Sequence, residues 1–127
     1  MSTNKEIVQT AKAPKAIGPY SQAVKVGNLL FTSGQLGMDP NSGEFPATVQ
    51  EQAKQSLENV KAIVEEAGGN LSQVVKTTVF LKDMNDFLAV NEIYSQFFAE
   101  PYPARSAVEV ARLPKDALVE IEVIAQL

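Results

Sequence analysis

The sequence predicts an α+β fold in which two helices lie on one face of a six-stranded sheet. Three observations predict it. Only two long stretches, one from Val49 and one after Asp83, repeat their apolar residues at helical spacing. The other apolar runs are short, rich in β-branched residues and bounded by turn residues. In chain order the elements read β-β-β-α-β-α-β-β, which groups strands and helices on one sheet.

Ile7 and Val8 suggest a short first strand. In the loop "TAKAPKAIGPYSQ" that follows, Pro14, Gly18 and Pro19 forbid regular structure through most of its length. "AVKVGNLLFTSGQ" reads as two strands about a Gly27-Asn28 hairpin turn, and Asp39 to Gly43 is a further turn cluster. From Val49 the period changes. Val49, Ala53, Leu57, Val60, Val64 and Ala67 recur every three or four positions, Thr48 with Glu51 fits a capping box, and Gly68-Gly69 supplies the stop. "QVVKTTVFLKD" reads as a strand. Asp83 or Asn85 then caps a second helix, "MNDFLAVNEIYSQFFAE", ended by Pro101 and Pro103. Two strands, Ala104 to Ala111 and Ala117 to Ala125, flank an "RLPKD" turn and close the chain. No repeat or composition shift divides it, so residues 1–127 are expected to form one domain.

The strands are apolar on both sides. Val75, Val79 and Leu81 point one way while Val74 and Phe80 point the other; Val119, Ile121 and Val123 oppose Leu118 and Ile124. Both sheet faces then need cover, and two helices cover only one. A further copy of the chain is the natural cover for the second, so a homo-oligomer is expected.

Composition narrows the function. A net charge of −4 without clustered Lys or Arg argues against nucleic-acid and anionic-membrane surfaces. No apolar run approaches membrane-spanning length and "MSTNKEIVQT" has no signal-peptide core, so a cytoplasmic protein is expected. The sequence has no His and no Cys, which removes disulfides, thiolate nucleophiles, Ser-His-Asp triads and the usual zinc ligands. Catalysis must run on carboxylates, Arg, Lys, Tyr, hydroxyls, backbone groups and water.

Several residues break the apolar pattern. Arg105, Ala107 and Glu109 share one side of their strand, and Glu120 and Glu122 share one side of the last. These charges form either a solvated ladder, Arg against Glu across strands, or a carboxylate-binding guanidinium beside an acid/base carboxyl. Asn91 lies within an apolar stripe of Phe87, Leu88, Tyr94 and Phe98, either as a tie to a loop backbone or as a pocket-lining amide. Tyr20 sits in the proline-glycine loop, as a lid over the core edge or a ligand contact. Ser33-Gly34 ends a strand, at a bulge or where a ligand approaches backbone N–H groups.

Taken together, "APKAIGPYSQAV", "TSGQ", "SLENVKAIVEEAG", "VVKTTVFLKDMNDFLAVNEIY" and "PARSAVEVARLPKDALVEIEVIA" resemble the RidA proteins, the reactive intermediate/imine deaminases. The resemblance runs in order from Ala13 to Ala125. It implies a chorismate-mutase-like fold with a mixed sheet, and a homotrimeric barrel with clefts between neighbouring subunits. It implies hydrolysis of 2-imino acids, formed from 2-aminoacrylate or 2-aminocrotonate, to 2-oxo acids and ammonia, with neither metal nor organic cofactor. By position, Arg105 matches the family arginine that grips the substrate carboxylate, and Glu120 the glutamate that activates water. Tyr20, Ser33, Gly34 and Asn91 match cleft-lining positions. Ala107 stands where many relatives carry Cys; a carboxylate contact through its backbone N–H survives that change. Two rivals remain. A non-catalytic 2-oxo acid-binding regulatory or chaperone-like protein would use the same cleft. A chorismate-mutase-type isomerase would need several convergent cations, for which only Arg105 and Arg112 stand near.

Overall fold

The computed structural model describes residues 4–127; residues 1–3, assigned above to the same domain and to its polar start, lie outside the described part. Strands β1 (Lys5–Val8), β2 (Ala23–Val26), β3 (Leu29–Thr32), β4 (Gln35–Leu36), β5 (Val74–Leu81), β6 (Ala104–Glu109) and β7 (Val119–Gln126) form one sheet. Their order is β1-β2-β3-β7-β5-β6, and β4 pairs with β7 beyond the end of β3. Every pairing is antiparallel except β5 with β6, so the sheet is mixed.

The sheet has seven strands where the sequence predicts six. The extra one, β4, is two residues long and too short to carry any alternation. The last two strands do not pair either. β5 lies between them, so no ladder of Arg105 against Glu120 or Glu122 forms. β6 stops at Glu109 and β7 starts at Val119, short of the expected Ala111 and Ala117. Between them Lys115 and Asp116 take left-handed backbone, with φ of 55° and 56°. A bulge between Val74 and Lys76 reverses the side-chain parity of β5. Val74 therefore joins Thr77, Val79 and Leu81 in the core, and Val75 faces out, contrary to the simple alternation.

Helix α1 (Val49–Glu66) starts at the predicted N-cap, Thr48, but only the Thr48 half of the expected capping box forms. Thr48 Oγ accepts from Glu51 N at 3.2 Å and donates to the Glu51 carboxylate at 2.9 Å, so the carboxylate closes on the hydroxyl. At the other end Gly68 adopts φ +94°, Gly69 N donates to Val64 O and Gly68 N to Glu65 O. That is the Schellman pattern, and it satisfies two orphan carbonyls. The apolar stripe lies on β3, β4 and β7, with Leu57, Val60, Ile63 and Val64 buried. Gln52, Ser56 and Asn59 are buried beside it, although their types place them on the solvent side. Each is spent on backbone: Gln52 on Pro46 O and Leu118 N, Ser56 on Gln35 O, Asn59 on Leu36 O and Met38 O.

Helix α2 (Phe87–Phe97) is the crossover that the parallel β5–β6 pair requires. A 3-10 turn, Met84–Asp86, precedes it and Asp83 caps that turn through Asn85 N. The helix ends before Pro101: Phe98 swings into extended backbone and buries its ring 4.6 Å from that of Tyr94. Leu88 is 75% exposed, and Val90 takes the core position expected of it. Both helices lie on one face. On the other, register aligns Ile7, Val24, Phe31 and Ile124 in a row across β1, β2, β3 and β7. Val26, Leu29 and Val108 are exposed on the same side. No helix among the described residues is long and apolar enough to cross a membrane.

Gly37 marks the closest approach of α1 to the β4 segment. A Cβ there would lie 2.2 Å from Gln52 O and 2.6 Å from Gln52 Cα, both backbone atoms that cannot move aside. Gly37→Ala is expected to destabilise the fold by about 1–3 kcal/mol or more. Urea unfolding checks this, and an unchanged midpoint contradicts it.

Candidate active site

Arg105 and Glu120 leave the sheet on opposite faces. Arg105 is the register partner of Thr77, which pairs with buried Val123 on the helix face. Glu120 pairs with Phe80 and lies on the face without helices. Each belongs to its own cavity.

The first cavity, about 500 Å³, lies between α2 and the edge strand β6, and Asn91, Tyr94, Tyr102 and Arg105 line it. Arg105 Nη1 donates to Asn91 Oδ1 at 2.7 Å. Its guanidinium carbon sits 4.7 Å from the Tyr94 ring centre and 5.2 Å from that of Phe87. Among the described residues it makes no ion pair. The Tyr94 hydroxyl is 2.8 Å from Thr77 Oγ1. Burial pushes the Tyr94 phenol up, against the opposing pull of the Thr77 hydrogen bond and the Arg105 charge. Asn91 is thus a cavity-lining amide bonded to Arg105, and no loop backbone.

The second cavity, about 610 Å³, holds Glu120 with Tyr20, Ser33, Gly34, Lys15 and Lys115. Glu120 is half-buried, and burial first, then the neighbouring Glu122 carboxylate, raises its carboxyl above the ordinary glutamate range. Gly34 makes that pose possible: a Cβ at this position would lie 2.6 Å from Glu120 Oε2. Ser33 is held by its N–H to Gln22 O and its Oγ to Ser21 O. Tyr20 stays more than half exposed, its hydroxyl accepting weakly from Ile17 N at 3.4 Å. Gln22, which sequence reasoning passed over, is 3% exposed and fastens the whole loop. Its side chain accepts from Thr10 N and donates to the carbonyls of Thr10 and Pro14. A polar residue directly before a strand was the only sign of it. Lys15 and Lys115 were passed over as well, and only the unusual backbone of Lys115 distinguishes either.

Ala107 lines neither cavity; it is half-buried on the helix face and packs on the core. Arg112 lines neither as well. Among the described residues no group of three or more His, Cys, Asp or Glu gathers as a metal site. The arrangement offers a cation without an ion-pair partner among the described residues and a carboxyl whose pKa burial raises. Within one chain the two do not meet.

The family model described as Endoribonuclease L-PSP matches residues 10–127. The chain belongs to this family, that of the RidA and L-PSP proteins. Over 121 residues it is 59% identical to the 2-iminobutanoate/2-iminopropanoate deaminase of Escherichia coli K12, covering 93% of this chain and 94% of that one. RidA from the Antarctic bacterium Psychrobacter sp. PAMC 21119 superposes with TM-score 0.94 at 53% identity, over 96% and 99% of the two chains. Escherichia coli TdcF, solved with bound serine, superposes with TM-score 0.92 at 55% identity, over 96% and 98%. The chain is therefore a homologue of a 2-iminobutanoate/2-iminopropanoate deaminase, a hydrolase, and shares with its solved relatives an α+β fold of a mixed sheet and two helices.

The raised carboxyl has a consequence for stability. A carboxyl whose pKa rises on folding costs nothing below its unfolded value, and its full penalty applies above its native value. Glu120→Gln is therefore expected to raise the thermal midpoint at about pH 8 and to leave it unchanged at about pH 3. Paired melting curves at the two pH values check the sign; a loss of stability at the higher pH contradicts it.

Proposed function

We propose that this chain hydrolyses 2-imino acids, the tautomers of 2-aminoacrylate and 2-aminocrotonate, to 2-oxo acids and ammonia. The site is completed between copies of a homotrimer, Arg105 coming from one subunit and Glu120 from its neighbour. The observation that carries this reading is a guanidinium held by one amide oxygen and two aromatic rings, with no carboxylate of its own among the described residues. The 59% identity to a 2-iminobutanoate/2-iminopropanoate deaminase supports the reaction class. The serine bound to TdcF, an α-amino acid, carries the same carboxylate as the substrate class. The uncovered row of Ile7, Val24, Phe31 and Ile124 supports association, since sheets apolar on both faces need both covered.

The chemistry follows from the two groups. Arg105 takes the substrate carboxylate through its remaining N–H donors. Ala107 adds a backbone contact: Val110 N donates to Leu81 O, and alternation along β6 turns the Ala107 N–H to the free edge. With the carboxylate fixed, C2 of the imine meets a water at Glu120. Glu120 removes a proton as the water oxygen bonds to C2, and passes a proton to the nitrogen. Glu120 then takes the hydroxyl proton of the carbinolamine and delivers it to the amine nitrogen; the C=O bond forms as the C–N bond breaks, and ammonia leaves behind the 2-oxo acid. An imine carbon is electrophilic enough to need no covalent nucleophile. Positioning supplies the entropic gain, and proton transfer by Glu120 adds about 10²–10⁴-fold. Tyr20, Ser33 and Gly34 bound the Glu120 side, and Asn91 the Arg105 side.

Imine hydrolysis is measured by coupling the protein to an amino-acid oxidase and trapping residual imine with semicarbazide. Arg105→Ala and Glu120→Gln are each expected to lose at least about 10²-fold in kcat/KM. Unfolded and refolded together in equal amounts, the two inactive variants are expected to recover about one quarter of wild-type activity, because a quarter of random interfaces join an intact Arg105 to an intact Glu120. No recovery in the mixed trimer refutes the shared site. Tight 2-oxobutanoate binding by a wild-type protein that hydrolyses no imine refutes turnover and leaves a 2-oxo acid-binding protein.

A further inference from the structure

Arg105 stands on the least covered strand of the sheet: five of the six residues of β6 are exposed. A long side chain in that position samples many rotamers unless something holds it, and a site that must first order its arginine binds more weakly than one already ordered. The hold comes from α2. Phe87, Asn91 and Tyr94 lie at positions i, i+4 and i+7 and so share one helix face. All three touch the guanidinium, two as rings and one as an acceptor.

The contacts close a circuit. Thr77 is the register partner of Arg105 on the neighbouring strand, and it is fully buried. Its hydroxyl holds the Tyr94 hydroxyl at 2.8 Å, which fixes the plane of the ring against which the guanidinium rests. Strand pairing thus sets where the Arg105 backbone is, and the same paired residue sets where its head group stops. A ring face attracts the cation without using an N–H. Asn91 uses one of the five donors. The others stay unspent for a planar anion.

We infer that Phe87 and Tyr94, with Thr77 behind Tyr94, are positioning residues that order the Arg105 guanidinium for carboxylate capture, and that Asn91 acts through Arg105. The inference rests on the proposed role of Arg105 and extends it to four residues that never touch the reacting atoms. Their contribution falls on carboxylate affinity and leaves the proton-transfer step alone.

The test reads binding and turnover separately. Calorimetry with 2-oxobutanoate as the carboxylate probe is expected to show Tyr94→Leu weakening Kd by about tenfold. KM for 2-iminobutanoate is expected to rise in parallel while kcat stays within about twofold. Tyr94→Phe keeps the ring face and loses only the Thr77 bond, so most of the affinity is expected to return, to within about threefold of wild type. In an Arg105→Ala background, Tyr94→Leu is expected to change nothing further. Phe87→Leu, at a half-buried position, carries the same measurement should Tyr94→Leu fail to fold. Wild-type affinity in both leucine variants, or an equal loss with and without Arg105, overturns the positioning role. If instead the wild-type protein binds 2-oxobutanoate no better than Arg105→Ala, the role of Arg105 itself fails, and this inference with it.

Discussion

The contact on which the rest depends is that between the polar row of α1 and the chain from Gln35 to Met38. After β3 ends at Thr32, the backbone makes a two-residue strand and then enters the interior under the helix. A ladder that short leaves carbonyls without partners, and a buried carbonyl left unpaired costs about 1–3 kcal/mol. Ser56 takes Gln35 O, and Asn59 takes both Leu36 O and Met38 O. Gln52 adds the N–H of Leu118, one residue before β7. One turn-spaced row of side chains therefore fixes both segments that flank Glu120, and Gly37 lets the helix come close enough to do it.

The sheet itself keeps the two charged groups from pairing within one chain. Placed side by side in one chain, Arg105 and Glu120 would pair. The ion pair would occupy the guanidinium and drive the carboxyl pKa down, removing both the anion binding and the proton exchange proposed for them. A sheet between them prevents that. Arg105 then finds neutral partners, an amide oxygen and two rings, while burial first, and the neighbouring Glu122 carboxylate second, raise the pKa of Glu120. The raised carboxyl opposes folding at neutral pH, a local expense of the kind that functional sites carry.

Much of this was legible in the sequence where the determinants are local. The cap at Thr48, the Schellman end at Gly68-Gly69 and the Gly27 hairpin, with φ +60° at its first turn residue, depend on a few neighbouring positions. Arg105, Glu120 and Asn91 stood out because each breaks an apolar pattern. Non-local facts were hidden. Nothing in "PARSAVEVARLPKDALVEIEV" says that β5 separates the two strands, so alternation gave the parity within each strand and no relation between them. A single bulge at Val74 reversed the parity expected for Val75. Gln52, Ser56 and Asn59 carry no local sign of their burial, since their partners lie between 6 and 66 positions away.

The strand that carries Arg105 is an edge with little packing of its own, and its attachment to α2 compensates. Besides Arg105 to Asn91, the Glu109 carboxylate accepts from Met84 N at 2.8 Å, at the start of the 3-10 turn that leads into the helix. β6 is thereby bound at one end to α2 and at the other to the turn that leads into it, and to β5 along its length. Lys76 Nζ reaches Ser106 Oγ on the other face. An edge strand alone could slide or fray on binding an anion. Tied at Asn91 and Met84, β6 and α2 form one unit, so force on the guanidinium is borne by a helix whose Val90 and Tyr94 are anchored in the core, with Phe98 just beyond its end.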